Sequence, residues 1–115
     1  MHVSTVAIAV VAVLHIGFFI LESVLWTSPK VILLFKNTEE SAQATKVLAF
    51  NQGFYNLGSA GLLIWFHTSN NMSGVMGVLL FLFSMGIVGG LTANWRIIMV
   101  QSLPALLASL LLYTL

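Results

Sequence analysis

The sequence predicts an all-α fold, a four-helix transmembrane bundle, from three observations. Only four Lys or Arg and three Asp or Glu occur in 115 residues, whereas roughly a quarter of a typical soluble protein is charged. Hydrophobic residues make up 59% of the chain, and its mean hydropathy is +1.04. Four apolar runs, each close to the roughly 20 residues that cross a bilayer as a helix, alternate with polar breaks. Lipid must therefore solvate most of the surface.

A single polytopic membrane domain over residues 1–115 is expected, with one helix in each apolar run. The first run has no basic segment before it and no small-residue cleavage site after it, so we interpret it as a retained helix and not as a signal peptide. Pro29 ends that helix, because the residue before a proline disfavours helical geometry. Pro104 is a candidate kink in the last helix. The predicted spans are 3–26, 47–66, 75–91 and 97–115.

The polar segment 27–46 is predicted to be cytoplasmic. Its apolar piece, 31–35, is too short to cross the membrane and is predicted to lie at the headgroup boundary. Asn37 or Thr38 is the candidate N-cap of the helix that follows. Residues 67–71 are predicted to form the turn between the second and third spans.

The distribution of basic residues predicts the orientation of the bundle. All of them fall in the two connections that share one side, and the other side has none. Because cytoplasmic loops carry the excess of Lys and Arg, both connections are placed in the cytoplasm and both termini on the non-cytoplasmic side. Trp26 and Trp95 lie at the same boundary, where indole rings are favoured. The basic residues are Lys30, Lys36, Lys46 and Arg96.

Polar side chains in three of the spans are predicted to lie at similar depths. A rise of about 1.5 Å per residue places Glu22, Asn51 and Gln101 in the cytoplasmic half of the membrane. Such groups are costly in hydrocarbon, so each needs a partner or a function. We therefore predict a polar cavity or hydrogen-bond network that opens toward the cytoplasm. The candidate ligand-binding residues are Glu22, Asn51, Gln52, Tyr55, Asn56, Gln101 and His15.

Three interpretations of these residues stay open at this stage: hydrogen bonds that only hold the helices together, a ligand or substrate site, and proton-coupled transport. The carboxyl group of Glu22 is the hardest to explain as packing. At that depth it is either protonated, extended toward the boundary, or hydrogen-bonded by Asn51, Gln52 or Gln101.

Several functional classes receive no support from the sequence. The chain has no cysteine, so disulfides, thiolate zinc sites and dithiol redox chemistry are excluded. His15 has no second histidine at its depth, as a haem would need, and His2 with His67 is a weak metal signal, so no metal or cofactor is predicted. A net charge of +1 without clustered basic residues predicts no nucleic-acid partner. No catalytic motif occurs, so the catalytic residues are unknown and enzymatic activity is left open.

Gly86 and Gly90 form a G-x-x-x-G spacing, which permits close contact between helix backbones. Packing inside the bundle is the favoured interpretation, because this spacing is common in membrane helices. The alternative is a homo-oligomer that forms through the Gly86–Gly90 face.

Three stretches of the chain, residues 15–26, 49–56 and 101–105, resemble a known family. They read His-Ile-Gly-Phe-Phe-Ile-Leu-Glu-Ser-Val-Leu-Trp, Ala-Phe-Asn-Gln-Gly-Phe-Tyr-Asn and Gln-Ser-Leu-Pro-Ala. The family is an uncharacterised group of small bacterial membrane proteins, domain of unknown function number 1304. The resemblance implies a multi-pass protein of the cell inner membrane with four helices, and it implies no activity. It draws attention to Glu22, Asn51, Gln52, Tyr55, Asn56 and Gln101.

The preferred functional hypothesis is an integral membrane protein that contacts membrane lipid and binds a small amphiphile or lipid-like ligand in the polar cavity. One alternative is a proton-coupled small-molecule transporter that uses Glu22, since four short helices with one carboxylate in the first also describe small multidrug-resistance transporters. The one-sided basic residues argue against it, because those proteins can insert in both orientations. The other alternative is a non-catalytic membrane subunit or assembly factor that docks through the glycine face.

Overall fold

A computed structural model describes residues 2–114, and 86% of these are helical while none lies in a β-strand. The predicted all-α class is confirmed. Two π-helical turns, π1 and π2, interrupt the α-helical geometry. The elements in chain order are α1 (Val3–Phe19), π1 (Ile20–Val24), α2 (Pro29–Leu34), α3 (Glu39–Ala44), α4 (Lys46–Thr68), α5 (Met72–Thr92), π2 (Ile98–Ser102) and α6 (Leu103–Thr114).

Two helices are long and apolar enough to cross a membrane: Val3–Val24, which joins α1 to π1, and Met72–Thr92. The first has 22 residues and is therefore about 33 Å long at 1.5 Å per residue. Ile98–Thr114 is a shorter apolar helix. The 23 residues of α4 are long enough, but its first half contains several amide side chains, which lower its hydropathy.

The chain divides into two compact units, which we call the central unit and the terminal unit. The central unit is His15–Gly58, and it contains π1, α2, α3 and the first half of α4. The terminal unit combines residues 2–14 with residues 59–114. Its core includes Leu63, Val75 and Leu79, each fully buried.

Two short helices fill the connection within the central unit. Pro29 is the first residue of α2, and Lys36, two residues after the end of that helix, adopts the left-handed region with a φ of 56°. Thr38 caps α3 through a reciprocal capping box, because its hydroxyl accepts from the Ser41 amide at 3.0 Å while the Ser41 hydroxyl accepts from the Thr38 amide at 3.1 Å. The prediction of a cap at Asn37 or Thr38 is confirmed at Thr38.

The indole of Trp26, just after π1, bonds to Thr45, just before α4, and so joins the two ends of this connection. Trp26 Nε1 donates a 3.1 Å hydrogen bond to Thr45 Oγ1, and the indole ring lies 5.1 Å from the ring of Phe35. Thr45 in turn donates to the Ser41 carbonyl at 2.7 Å. Trp26 therefore holds the segment between π1 and α4 in a closed loop.

The predicted turn at residues 67–71 is shorter in the structure, because α4 continues through Thr68. Asn70 adopts a φ of 57°, a conformation that asparagine tolerates better than most residues. The Asn71 side chain then caps α5 by accepting from the Gly74 amide at 2.9 Å. Two adjacent asparagines thus reverse the chain between α4 and α5.

The π2 turn lies immediately before Pro104, the candidate kink of the last helix. Proline has no amide hydrogen to donate to the carbonyl four residues earlier, and its ring crowds that carbonyl. A wider turn over Ile98–Ser102 relieves this conflict, with the Leu103 amide bonding to the Ile98 carbonyl.

Candidate binding site

Glu22 and Ser23 lie side by side in π1, and both bond to α4 within the central unit. Ser23 Oγ donates a 2.7 Å hydrogen bond to the carbonyl of Phe50. Six residues further along α4, Asn56 Nδ2 donates a 2.5 Å hydrogen bond to Glu22 Oε1. The π geometry is defined by the Leu25 amide, which bonds to the Ile20 carbonyl at 3.0 Å. No proline accounts for this turn, and π-turns often occur at functional sites.

Gly53 allows π1 and α4 to approach this closely. A Cβ at that position would overlap the Ser23 side chain and stand 3.0 Å from the Ser23 amide nitrogen. Gly53 is three residues before Asn56, so both face the same side of α4. The glycine therefore sets the distance at which Asn56 can reach Glu22.

The terminal unit contains a second contact built from the same parts. In π2, Ser102 Oγ donates a 2.9 Å hydrogen bond to the carbonyl of Phe83 on α5. Gln101 Nε2 donates a 3.0 Å hydrogen bond to the carbonyl of Leu82. A Cβ on Gly86 would overlap the Ser102 side chain and stand 3.0 Å from the Ser102 amide nitrogen.

We call these two contacts the Glu22 joint and the Gln101 joint. In each, a serine in a π-turn donates a hydrogen bond to the backbone carbonyl of a phenylalanine on the partner helix. Three residues after that phenylalanine, the partner helix has a glycine that packs against the same serine, which gives the pattern Phe-x-x-Gly. In each, the residue before the serine also bonds to the partner helix. This repeat was not predicted from the sequence, although the patterns Leu-Glu-Ser and Val-Gln-Ser and the two Phe-x-x-Gly patterns could have indicated it.

The joints differ in the residue that precedes the serine and in the group to which that residue bonds. The Gln101 side chain donates to a backbone carbonyl and uses no side chain from α5 for that bond. Glu22 accepts from a side chain, Asn56, and the position of α5 that corresponds to Asn56 is Gly89. The Glu22 joint therefore contains a carboxyl group and a second side chain, Asn56, where the Gln101 joint has a carboxamide and a backbone carbonyl.

The family model for proteins of unknown function DUF1304 matches residues 9–113. The chain belongs to the DUF1304 family. The resemblance inferred from three short stretches is therefore confirmed over nearly the whole chain. No curated protein and no solved structure matches the chain. DUF1304 membership assigns no activity to the chain.

The structure brings Glu22 together with Asn56, and it does not use the partners that the sequence suggested for Glu22. Asn51 and Gln52 are exposed, and neither side chain forms a hydrogen bond within residues 2–114. Gly53 faces π1, and Asn51 and Gln52 precede it by two residues and by one. Both side chains therefore point away from π1, because helical positions one or two residues apart do not share a face. A hydrogen bond was one of three alternatives for Glu22, with Asn51, Gln52 or Gln101 as its possible donors, and the donor in the structure is Asn56.

The remaining predicted residues lie in different surroundings. The His15 side chain is buried in the central unit and meets the Phe18 ring edge-on at 5.0 Å between centroids. Tyr55 on α4 is 74% exposed. Gln101 belongs to the terminal unit, where its amide bonds to α5. The common polar tier that was predicted for these residues stays a prediction.

No basic side chain pairs with Glu22 within residues 2–114, where Asn56 is its only hydrogen-bond partner. The carboxyl group is partly buried. The Glu22 joint thus holds an acidic side chain without a counter-charge from the described part of the chain, which is uncommon for a carboxyl group in apolar surroundings.

Two surface grooves of about 490 and 520 Å³ lie in the terminal unit. The first is almost entirely apolar and runs past Val6, Met99 and Leu107. The second lies beside His2, Met76 and Tyr113. Neither is lined by a predicted site residue, so the predicted polar cavity also stays a prediction.

Proposed function

We propose that this DUF1304 protein is a multi-pass integral membrane protein of the cell inner membrane that binds a small amphiphile at the Glu22 joint. Four spans, 3–26, 47–66, 75–91 and 97–115, would place both termini on the non-cytoplasmic side, with segment 27–46 in the cytoplasm. The observation that supports binding is the contrast between the two joints of the same chain.

The Gln101 joint provides an internal reference for what packing requires. There, a serine, a glycine and a neutral amide join two helices with backbone partners alone. A carboxyl group in the same place adds a desolvation cost, because ionisable groups in apolar surroundings are expensive. The costlier pair of Glu22 and Asn56 is therefore better explained by recognition of another molecule than by packing.

The surroundings of Glu22 suit an amphiphile better than a wholly polar ligand. Glu22 lies two residues before the end of the apolar helix Val3–Val24, which is where headgroups meet hydrocarbon. The adjacent part of α4 exposes about half of the rings of Phe50 and Phe54. Polar groups in apolar surroundings need polar partners. A headgroup would contact the Glu22 and Asn56 side chains, while its chain replaces lipid along these rings.

Photolabelling in lipid nanodiscs tests this proposal. The probe is a C16 alkyl chain with a diazirine near an amine head, and the crosslinked peptides are mapped by mass spectrometry. We expect labelling to concentrate in residues 15–58 and to fall about tenfold in Glu22→Gln, since about 1.4 kcal/mol of headgroup interaction corresponds to that factor. Glu40→Gln makes the same chemical change at an exposed position outside the site and should label like the wild type.

Two results would contradict amphiphile binding. One is labelling that is spread over all apolar helices and is unchanged in Glu22→Gln. The other is a crosslink between two copies of the chain at Asn51 or Gln52, which would make the exposed amides a protein interface. Uptake of a small molecule driven by a pH gradient and abolished by Glu22→Gln would instead favour proton-coupled transport.

A further inference from the structure

We infer that the headgroup recognised at the Glu22 joint is cationic, an ammonium group carried on an apolar chain. The inference rests on the proposed function and specifies its ligand class. It follows from the unused acceptor atoms of the joint, from the positions of the basic residues and from the aromatic rings beside Glu22.

The acceptor atoms of the joint outnumber its donors. Asn56 Nδ2 is directed to Glu22 Oε1, and within residues 2–114 neither Glu22 Oε2 nor Asn56 Oδ1 has a hydrogen-bond partner. A carboxylate oxygen and a carboxamide oxygen therefore remain for a ligand. An ammonium group has only donors to offer, so its chemistry complements this pair.

The basic residues of the central unit do not contribute to the site. Lys30 and Lys36 lie in the connection around α2, and Lys46 is the first residue of α4, ten positions before Asn56. All three are exposed, and none pairs with Glu22. A phosphate or carboxylate headgroup would meet the Glu22 carboxylate without a cation to offset the repulsion. Anionic headgroups are therefore disfavoured at this joint.

Three phenylalanines beside the joint can contact the carbon atoms next to a cationic nitrogen. Phe19 meets Phe54 edge-on at 5.1 Å between ring centroids, and Phe50 lies 5.0 Å from Phe54. Phe50 and Phe54 are each 48% exposed, so ring surface is open to a ligand. Aromatic faces attract cations, most strongly where water is excluded. A hydroxyl headgroup would gain much less from the same rings.

The test compares three photoactivatable probes that share one C16 diazirine chain and differ only in a terminal amine, hydroxyl or phosphate. Each is incorporated to the same measured amount in phosphatidylcholine nanodiscs that hold the full chain. We expect the amine probe to label residues 15–58 about tenfold more than the phosphate probe and several-fold more than the hydroxyl probe, as a direct charge interaction of roughly 1.4 kcal/mol would give. Untagged hexadecylamine should compete with the amine probe.

Glu22→Gln should abolish the difference between the amine and hydroxyl probes, because it removes the charge and keeps the shape. If that variant does not fold, the ranking of the probes on the wild type still decides the inference. Equal labelling by amine and hydroxyl, or stronger labelling by phosphate, would overturn the cationic headgroup while localised labelling still supported amphiphile binding. Failure of all three probes to label residues 15–58 would overturn both proposals.

Discussion

Ser102 lies so close to Gly86 that a Cβ on the glycine would overlap the serine hydroxyl. Ile98 takes the corresponding position over Gly90, one turn along α5. The G-x-x-x-G face is thus filled by side chains of π2 from the same chain. Packing within the chain was the favoured interpretation of this spacing, and in the structure both glycines pack against residues of π2. Homo-oligomer formation through the same face stays a prediction.

The first prediction concerns this contact. Gly86→Ala should lower the free energy of unfolding by about 1 to 3 kcal/mol, the usual cost of adding atoms to a packed contact. Gly77→Ala on the same helix is the matched control, because a Cβ there meets nothing within 4 Å. The measurement is equilibrium unfolding of the purified protein in mixed detergent micelles.

A double-mutant cycle makes this prediction more specific. Ser102→Ala removes the hydroxyl that the new methyl group would meet, and it also removes the hydrogen bond to Phe83. In the Ser102→Ala background, Gly86→Ala should therefore cost clearly less than it does alone, with a coupling energy of about 1 kcal/mol. Equal costs for Gly86→Ala and Gly77→Ala would show that the close approach to Ser102 does not exist.

The second prediction is an asymmetry between the two joints. Glu22→Gln should change the free energy of unfolding by less than about 1 kcal/mol, because a glutamine still accepts from Asn56. Gln101→Glu should cost about 2 kcal/mol or more, because a carboxylate cannot donate to the Leu82 carbonyl and would face its oxygen instead. Both variants are measured by the same unfolding titration. Similar costs for the two substitutions would mean that Glu22 is a packing residue after all.

Sequence periodicity and composition predict the helices of this chain well, because long apolar runs and strong breakers leave few alternatives. The cap at Thr38 and the break before Pro29 depend on local chemistry, so they can also be predicted from the sequence. The partner of Glu22 could not be derived in this way. The depth estimate assumed straight helices, whereas the π-turn and the approach at Gly53 select Asn56. Helix–helix register depends on such contacts between distant residues, and a single sequence does not encode them in any local pattern.

The third prediction concerns the anchor of the connecting segment. Trp26→Phe removes the hydrogen bond to Thr45 but retains an aromatic ring against Phe35, so it should cost about 0.5 to 1.5 kcal/mol. Amide hydrogen exchange should rise mainly in residues 27–45, since the bond closes that loop. Trp65→Phe on α4 is the control, because the Trp65 side chain is 62% exposed and, within residues 2–114, the only indole that donates a hydrogen bond is that of Trp26. Exchange that is unchanged in Trp26→Phe would mean that Thr45 does not hold the loop.

The fourth prediction tests the proposed orientation, which the absence of native cysteine makes simple to measure. Single cysteines are introduced at four exposed positions outside the long apolar helices or at their ends: His2, Gln43, Ser69 and Ala93. If the basic connections face the cytoplasm, a membrane-impermeant maleimide applied to spheroplasts should label positions 2 and 69 and spare positions 43 and 93.

Inside-out vesicles provide the reciprocal measurement, because the same reagent should then label positions 43 and 93 and spare positions 2 and 69. Each result has a separate structural meaning. Labelling of 43 and 93 in spheroplasts with protection of 2 and 69 would keep four spans and invert their orientation. Labelling of 43 and 69 from the same side would show that α4 does not cross the membrane. In that case the polar half of α4 would lie at the surface, and Glu22 would meet its ligand from the aqueous phase.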